Sequence, residues 1–355
     1  MKKWGFYGIL LLAIKAQSQC VKPTGTGDTL CGPTSVGLIA TGASGFYAWF
    51  DSDSAGSLVS YNDTFSTPIL NATRDYYVAE FDTGTTSNAL SFDGINDYIA
   101  IDNIFYDGTN YTEVTIELWL RTTDGGNQIL VTFDRSEYWR LEINGEGAGT
   151  GQIGFDVLTD AGQHDFGGSI LINDGVWHHV AAVFDNGTSR IYIDGVLDNA
   201  ATVGTVFGIG GVSYGFVGVG SEASTFNGTT GPDNFFNGDM TEVRVWNRAL
   251  TQAEIMSNMN NCIIQVQDSL AIYYRMDGSA GQTFVSDFSG NSNIGVLQNM
   301  NTTTAWINTG VSLTGCPDCY SVRDTVTAGI DLPLAVDLGI DTCIGSTITL
   351  DAGPG

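Results

Sequence analysis

The chain has 355 residues, enough for two or three domains. Its 39 acidic residues against 13 basic ones give a formal charge of −26, which repels phosphate backbones and anionic lipid and so argues against nucleic acid as a partner. Beyond the first residues no segment is long and apolar enough to cross a bilayer, and the abundant glycine, threonine and asparagine suit a turn-rich all-β protein.

Residues 1–18 read as a secretory signal, with Lys2-Lys3, an apolar core from Trp4 to Ile14, and Ala16-Gln17-Ser18 as the cleavage site. The protein is therefore expected outside the cell or on its surface, without membrane insertion. A lipid anchor on Cys20 is the alternative, but Gln19 stands where a small residue is normally required. Six cysteines follow the signal: Cys20, Cys31, Cys262, Cys316, Cys319 and Cys343. An even number in an exported chain points to disulfides, with Cys20 and Cys31 closing a small loop and Cys262 meeting Cys316 or Cys319. Cys316-Pro317-Asp318-Cys319 is also half of a zinc knuckle, with no second half in the chain.

From 19 to 84 short strands alternate with turns, as at Val36, Leu38 and Ala40. The segment SGFYAWF…RDYYVAE resembles small immunoglobulin-like modules of exported Bacteroidetes-type proteins. Trp49-Phe50-Asp51 matches the aromatic motif that fills their core, and Thr73 to Val78 matches a later strand. No cysteine pair bridges the sheets around Trp49, unlike antibody domains. The resemblance implies a spacer.

The most informative run is WHHVAAVFDNGTSRIYIDGVLD, from Trp177 to Asp198. It predicts two strands joined at Asp185-Asn186-Gly187, with another tight turn at Asp194-Gly195. The run resembles the signature of laminin-G-like, concanavalin-type jelly rolls. Further motifs match that family in order: Ala89 to Ile101, Val114 to Thr122, Tyr138 to Gly145, Gly215 to Ser221, and Phe235 to Ile255. Val114, Ile116, Leu118 and Leu120 alternate with Thr115, Glu117, Trp119 and Arg121, predicting a half-buried strand. Thr251 to Glu254 predicts the cap of a short helix.

The expected fold is thus all-β: a concanavalin/laminin-G-like jelly-roll sandwich over 85–262, preceded by an immunoglobulin-like β-sandwich. Residues 263–314 resemble the tail that accompanies such jelly rolls, read as strands that complete or cap the sandwich. Residues 315–355 read as a linker and the start of a truncated immunoglobulin-like repeat, the repeat beginning at Val336.

Asp93, Asn96 and Asp97 form an oxygen-rich turn suited to Ca²⁺. In the family that turn meets a strand carrying an aspartate where this chain has Thr241, so Asp239 or Glu242 would have to compensate. The metal-free alternative is a side-chain-stabilised hairpin turn. Glu142, Asn144 and Glu146 resemble the catalytic ExDxE core of β-glucanases, which places two carboxylates on one strand face. Here Asn144 replaces the central aspartate, and Asn144-Gly145 predicts a tight turn that separates the two glutamates. His178 and His179 point to opposite faces of their strand and cannot easily share a metal; His164 is the only other histidine. Trp119, Tyr138, Trp139, Tyr192, Tyr214 and Phe216 lie on predicted strands. Such rings are usually core, but on a concave sheet some can stack on sugars.

The leading expectation is a non-catalytic exported protein that binds a glycan or a cell-surface protein, with Ca²⁺ ordering a loop. The alternative is a structural spacer or a targeting appendage of a larger adhesin or secreted hydrolase. An enzyme ranks third.

Overall fold

The computed structural model describes residues 22–42, 46–53, 58–84, 88–106, 111–133, 139–207, 213–222, 225–228, 230–263, 267–308, 311, 313, 316–320 and 323–331, side chains at 81–84, 102–106, 213, 222, 230 and 316–320 excepted. The expected signal segment, Cys20, Tyr138, Cys343 and the repeat from Val336 lie outside these residues.

The hairpin read from sequence forms as its residues dictate. His178–Asp185 pairs with Thr188–Ile193 so that Asp185 faces Thr188. The two residues between, Asn186 and Gly187, take φ of 44° and 93°, the left-handed geometry that matches a two-residue turn to strand twist. Asp194 and Gly195 repeat the device at φ of 53° and 75°.

Two eight-stranded sheets carry the jelly roll. The first runs Val196–Thr202, Thr188–Ile193, His178–Asp185, Glu113–Arg121, Asn237–Trp246, Asn88–Asp93, Trp306–Asn308, with Leu270–Tyr274 also paired to Asn237–Trp246. The second runs Gly162–Leu171, Gln152–Thr159, Trp139–Ile143, Gln128–Phe133, Ser213–Val217, Tyr98–Tyr106, Gly295–Gln298, Phe284–Val285. Residues 263–314 therefore supply strands to both sheets. Between the sheets lie Val114, Ile116, Leu118, Leu120, Phe133, Trp139, Leu141, Phe155 and Phe184 among many others.

The strand Glu113–Arg121 departs from the half-buried pattern. Thr115 and Glu117 are as buried as the core residues between them. The helix Gln252–Asn260 covers this second face, and it starts where the sequence predicts. The Thr251 side chain accepts from Glu254 N and the Glu254 carboxylate accepts from Thr251 N, a capping box that satisfies two otherwise orphaned donors.

The immunoglobulin-like module packs a three-stranded sheet (Thr24–Thr26, Gly37–Thr41, Thr64–Ser66) on a larger one ordered Thr29–Cys31, Asp324–Asp331, Arg74–Gly84, Phe46–Phe50, Leu58–Ser60. Trp49 fills its core beside Val36, Leu38, Phe65, Tyr76 and Val78, and its indole N–H donates to the Asn62 carbonyl at 2.8 Å. Val326, Ala328 and Ile330 belong to the same core.

That last fact revises the expected domain map. Residues 316–331, read as linker, form two strands of the N-terminal module: Cys316–Tyr320 and Asp324–Asp331 both pair antiparallel with Arg74–Gly84. The alternation of Val326, Ala328 and Ile330 with polar residues is what buries one face of the final strand. The jelly roll is thus inserted between two neighbouring strands of a single immunoglobulin-like module.

The two sandwiches also share a hydrophobic interface. Ala48, Phe50, Leu58 and Ala79 of the module pack with Ala181, Val183, Tyr192, Trp246, Leu250, Ile255, Tyr273 and Phe288 of the jelly roll. Phe50 follows Trp49 on one strand, so its side chain leaves the opposite face. One strand therefore serves both the module's core and its junction.

Candidate functional site

The turn from Asp93 to Asp97 is held by its own carboxylates. Asp93 Oδ1 accepts from the backbone N–H of Ile95 at 2.8 Å, Asn96 at 3.2 Å and Asp97 at 3.4 Å. Asp97 Oδ2 accepts from Asp93 N at 3.2 Å. Gly94 sits at φ +73°, and a Cβ there would stand 2.7 Å from the Cβ of Asn237 on the paired strand, so both backbone and space require glycine.

Beside this turn lies a cavity of about 240 Å³ lined by Ser91, Phe92, Asp93, Asp97, Asn299, Asn301, Thr304 and Ala305. The last four come from the C-terminal tail of the jelly roll. Asn299 is fixed there by donating its Nδ2–H to the Asn96 carbonyl at 3.0 Å. Burial, reinforced by the charge of Asp93, raises the Asp97 pKa. A carboxylate so placed gains from either a proton or a cation. The lining donors are carboxylate, amide and hydroxyl oxygens, the set that a hard divalent cation takes.

Of the five calcium candidates, Asp93, Asn96 and Asp97 share this turn. Asp239 does not join them: its Oδ2 is held by Arg121 at 2.6 and 2.9 Å. Glu242 faces the helix-covered side of the first sheet, where Arg244 donates to it at 2.5 Å and the Tyr273 hydroxyl at 2.6 Å. Both carboxylates are neutralised by arginines that the sequence left unpaired. Among the described residues, no group of three or more His, Cys, Asp or Glu is arranged to hold a metal.

Under the helix, Glu117 and Glu242 flank Arg244 on the buried face. Asn258 and Trp246 donate to Glu117 at 2.8 and 3.0 Å, and burial pushes both glutamate pKa values up. His179 lies 3.8 Å from Glu117, its pKa pushed down to about 3 by burial and by Arg244, so it is a neutral packing residue. His178 points away to the rim, between Asp194 at 2.9 Å and Asp174 at 3.3 Å.

Glu142 and Glu146 are separated, though not by the hairpin that Asn144-Gly145 predicts. Asn144 takes φ +53°, as an Asn-Gly turn requires, but it opens a loop reaching to Gly151 rather than a two-residue hairpin. Glu146 is exposed on that loop, while Glu142 is buried in the strand. The real partner of Glu142 is Asp156 on the next strand, with Arg140 reaching Asp156 at 2.6 Å and Glu142 at 3.3 Å. Burial, then the neighbouring Asp156, raises the Glu142 pKa to about 9. Both carboxyls are buried and tied to one arginine.

Trp139 is a core residue packed on Phe133 at 5.0 Å between ring centres. Tyr192 belongs to the junction with the immunoglobulin-like module. Trp119 is half-buried, donates to the Met259 carbonyl at 3.1 Å and meets His179 edge-on. Phe216 is buried beside Tyr98, Ala100 and Val219. Tyr214 is half-buried at the border of that small cluster. Cys31 and Cys262 are disulfide-bonded; the side chains of Cys316 and Cys319 lie outside the described ones.

Sequence reasoning missed Asn299, Asn301 and Thr304, which lie some 200 residues beyond the turn they adjoin. It also missed Asp156, whose only signal is register with Arg140 across a hairpin.

The fold is a concanavalin-like β-sandwich set within an immunoglobulin-like module. Residues 93–256 match the laminin-G-like model of the concanavalin A-like lectin/glucanases superfamily, and residues 21–91 match an Ig-like domain of the CHU_C-associated type. A solved protein of Bacteroides ovatus named for carbohydrate binding aligns over 84% of this chain and 96% of its own, at 18% identity and a TM-score of 0.51. A heptameric SAP-like pentraxin from Limulus polyphemus aligns over 61% of this chain and 97% of its own, at 14% identity and a TM-score of 0.41. The rat Sushi, von Willebrand factor type A, EGF and pentraxin domain-containing protein 1 is 24% identical over 176 residues, 48% of this chain. The match spans 5% of that relative's length.

Proposed function

We propose that this is an exported, non-catalytic binding protein whose jelly roll takes a glycan, with Ca²⁺ held at the Asp93–Asp97 turn. The observation that carries the reading is the polar cavity where two carboxylates meet Asn299, Asn301 and Thr304. Asp93 and Asp97 would hold the ion, with amide and backbone oxygens beside them. Bound there, Ca²⁺ would supply a Lewis-acidic contact for vicinal sugar hydroxyls. The likeness to the Bacteroides ovatus protein supports the fold on which this reading rests. The burial of Glu142 against Arg140, away from the exposed Glu146, supports the non-catalytic part.

A glycan array probed with the full chain, in Ca²⁺ and again in EDTA, tests the proposal. Binding that is lost in EDTA and in Asp97→Asn is the expected result. Binding indifferent to both would move the ligand to the aromatic border at Tyr214. No binding in either condition overturns the reading in favour of a structural spacer or an adhesin module that recognises protein.

A further inference from the structure

The rim that carries the Asp93–Asp97 turn is built from the ends of four neighbouring strands, in sheet order. Asp124 follows Glu113–Arg121, Asn237 opens Asn237–Trp246, Asp93 closes Asn88–Asp93, and Thr304 and Ala305 lead into Trp306–Asn308. Register fixes the row: Arg121 faces Asp239, Asn237 faces Asp93, and Ser91 N donates to the Ala305 carbonyl at 2.8 Å. Asn237 links its two halves, with its Nδ2 3.5 Å from Asp124 Oδ2 and its Cβ packed against Gly94. Neighbouring strands lie about 4.8 Å apart, so Asp124 stands roughly 10 Å from Asp93, the reach of two linked sugar rings. Ile95, 72% exposed at the tip of the turn, offers an apolar contact beside them.

The uncompensated charge along this row is all negative. Residues 85–314 contain no lysine. Every arginine described there is already bound: Arg121 to Asp239, Arg140 to Asp156, Arg190 to Asp185, Arg244 to Glu242, Arg248 to Glu254 and Arg275 to Asp277. Arg121, nearest the rim in sequence, also lies over the Trp177 ring at 5.1 Å. Among the described residues no basic side chain pairs with Asp93, Asp97 or Asp124. Asp97 is only 6% exposed and only its Oδ2 accepts a hydrogen bond, which leaves Oδ1 to a ligand at the cavity.

Ca²⁺ at Asp93 and Asp97 would cancel those two charges and leave Asp124. A uronate chain would reach the ion with one carboxylate, but its next ring would set a second against Asp124, close to the screening length of about 8 Å. An ammonium on that next ring meets the opposite charge instead. We propose that the ligand is a glycan with free amino groups, one ring placing hydroxyls on the ion and its neighbour placing an ammonium on Asp124. The inference rests on the Ca²⁺-assisted reading above and adds the class of sugar.

Calorimetric titration of the full chain in Ca²⁺ with glucosamine, N-acetylglucosamine and galacturonate oligomers of equal length tests the proposal. The free amines should bind about fivefold tighter than the N-acetylated series, the upper end for one solvent-exposed ion pair, and the galacturonates should not bind. Asp124→Asn should erase the preference for free amines while leaving the affinity for N-acetylated oligomers and for Ca²⁺ itself unchanged. That substitution keeps an oxygen for the Gly126 N–H, which Asp124 Oδ1 accepts at 2.8 Å. A preference that survives Asp124→Asn would come from the overall negative charge of the chain and would overturn the site. Equal affinity for the first two series, or binding of galacturonate, overturns the inference and leaves the Ca²⁺-assisted reading standing. Failure of all three series to bind in Ca²⁺ overturns both.

Discussion

Glu142 and Asp156 both reach the Arg140 guanidinium in a buried pocket where each keeps an oxygen that meets no protein donor, Glu142 Oε1 and Asp156 Oδ1. A single proton between them satisfies both, and Arg140 balances the remaining charge. The site is spatially closed: a Cβ at Gly145 would stand 1.6 Å from Glu142 Oε1.

This pair makes stability depend on pH. Glu142 ionises near 4.5 in an unfolded chain and near 9 in the fold. Between those values the folded state holds a proton that the unfolded state has lost, so stability is full below the lower value and declines as pH rises through the upper one. Melting temperatures taken from pH 5 to pH 9 should fall, and Glu142→Gln, which keeps a donor toward Asp156, should flatten the decline. An equally steep decline in the variant would rule the pair out as its source.

Calcium should raise the melting temperature of the full chain in proportion to the logarithm of its concentration above Kd. Asp97→Asn should abolish that rise while leaving the metal-free melting temperature the same or slightly higher, because the Asp93 repulsion is relieved. Differential scanning calorimetry in Ca²⁺ and in EDTA makes the comparison.

Phe50→Ala removes a large side chain from the junction between the two sandwiches. A loss of about 3 kcal/mol is expected, typical of a buried phenylalanine. Chemical denaturation should then separate into two transitions where the parent protein shows one. A single transition at an unchanged midpoint would mean the junction carries no load in stability.

Thr251→Ala deletes the helix cap over the buried Glu117–Arg244 cluster and should cost about 1 kcal/mol. Hydrogen exchange should quicken in the Gln252–Asn260 helix while the sheets beneath stay protected.

Much of the architecture was legible because it rests on local chemistry. Asn186-Gly187 fixes a two-residue turn, Thr251 and Glu254 fix a helix start, and Val36, Leu38 and Ala40 alternate as a strand must. What escaped depends on contacts between distant segments. Thr115 and Glu117 read as an exposed face because the helix and the Arg248 to Leu250 segment that cover them are encoded elsewhere. Asp239 read as a metal ligand because Arg121 becomes its partner only through sheet register, whereas the partner of Glu242, Arg244, stands two residues on along the same strand. The turn at Asp93 was visible at once, whereas the asparagines that wall its cavity were hidden by the chain's long excursion between them.

The split module also orders the protein's own synthesis. Residues up to Gly84 leave the ribosome early, yet the strand that completes their sheet is made only after the whole jelly roll has been translated. Until Val326, Ala328 and Ile330 arrive, Trp49 and Val78 lack part of their cover and the edge of Arg74–Gly84 stands open, the kind of surface that proteases and aggregation exploit. A chain terminated early therefore carries a visible defect at its beginning. Only a polypeptide translated through Asp331 can bury it, so the fold audits its own completeness.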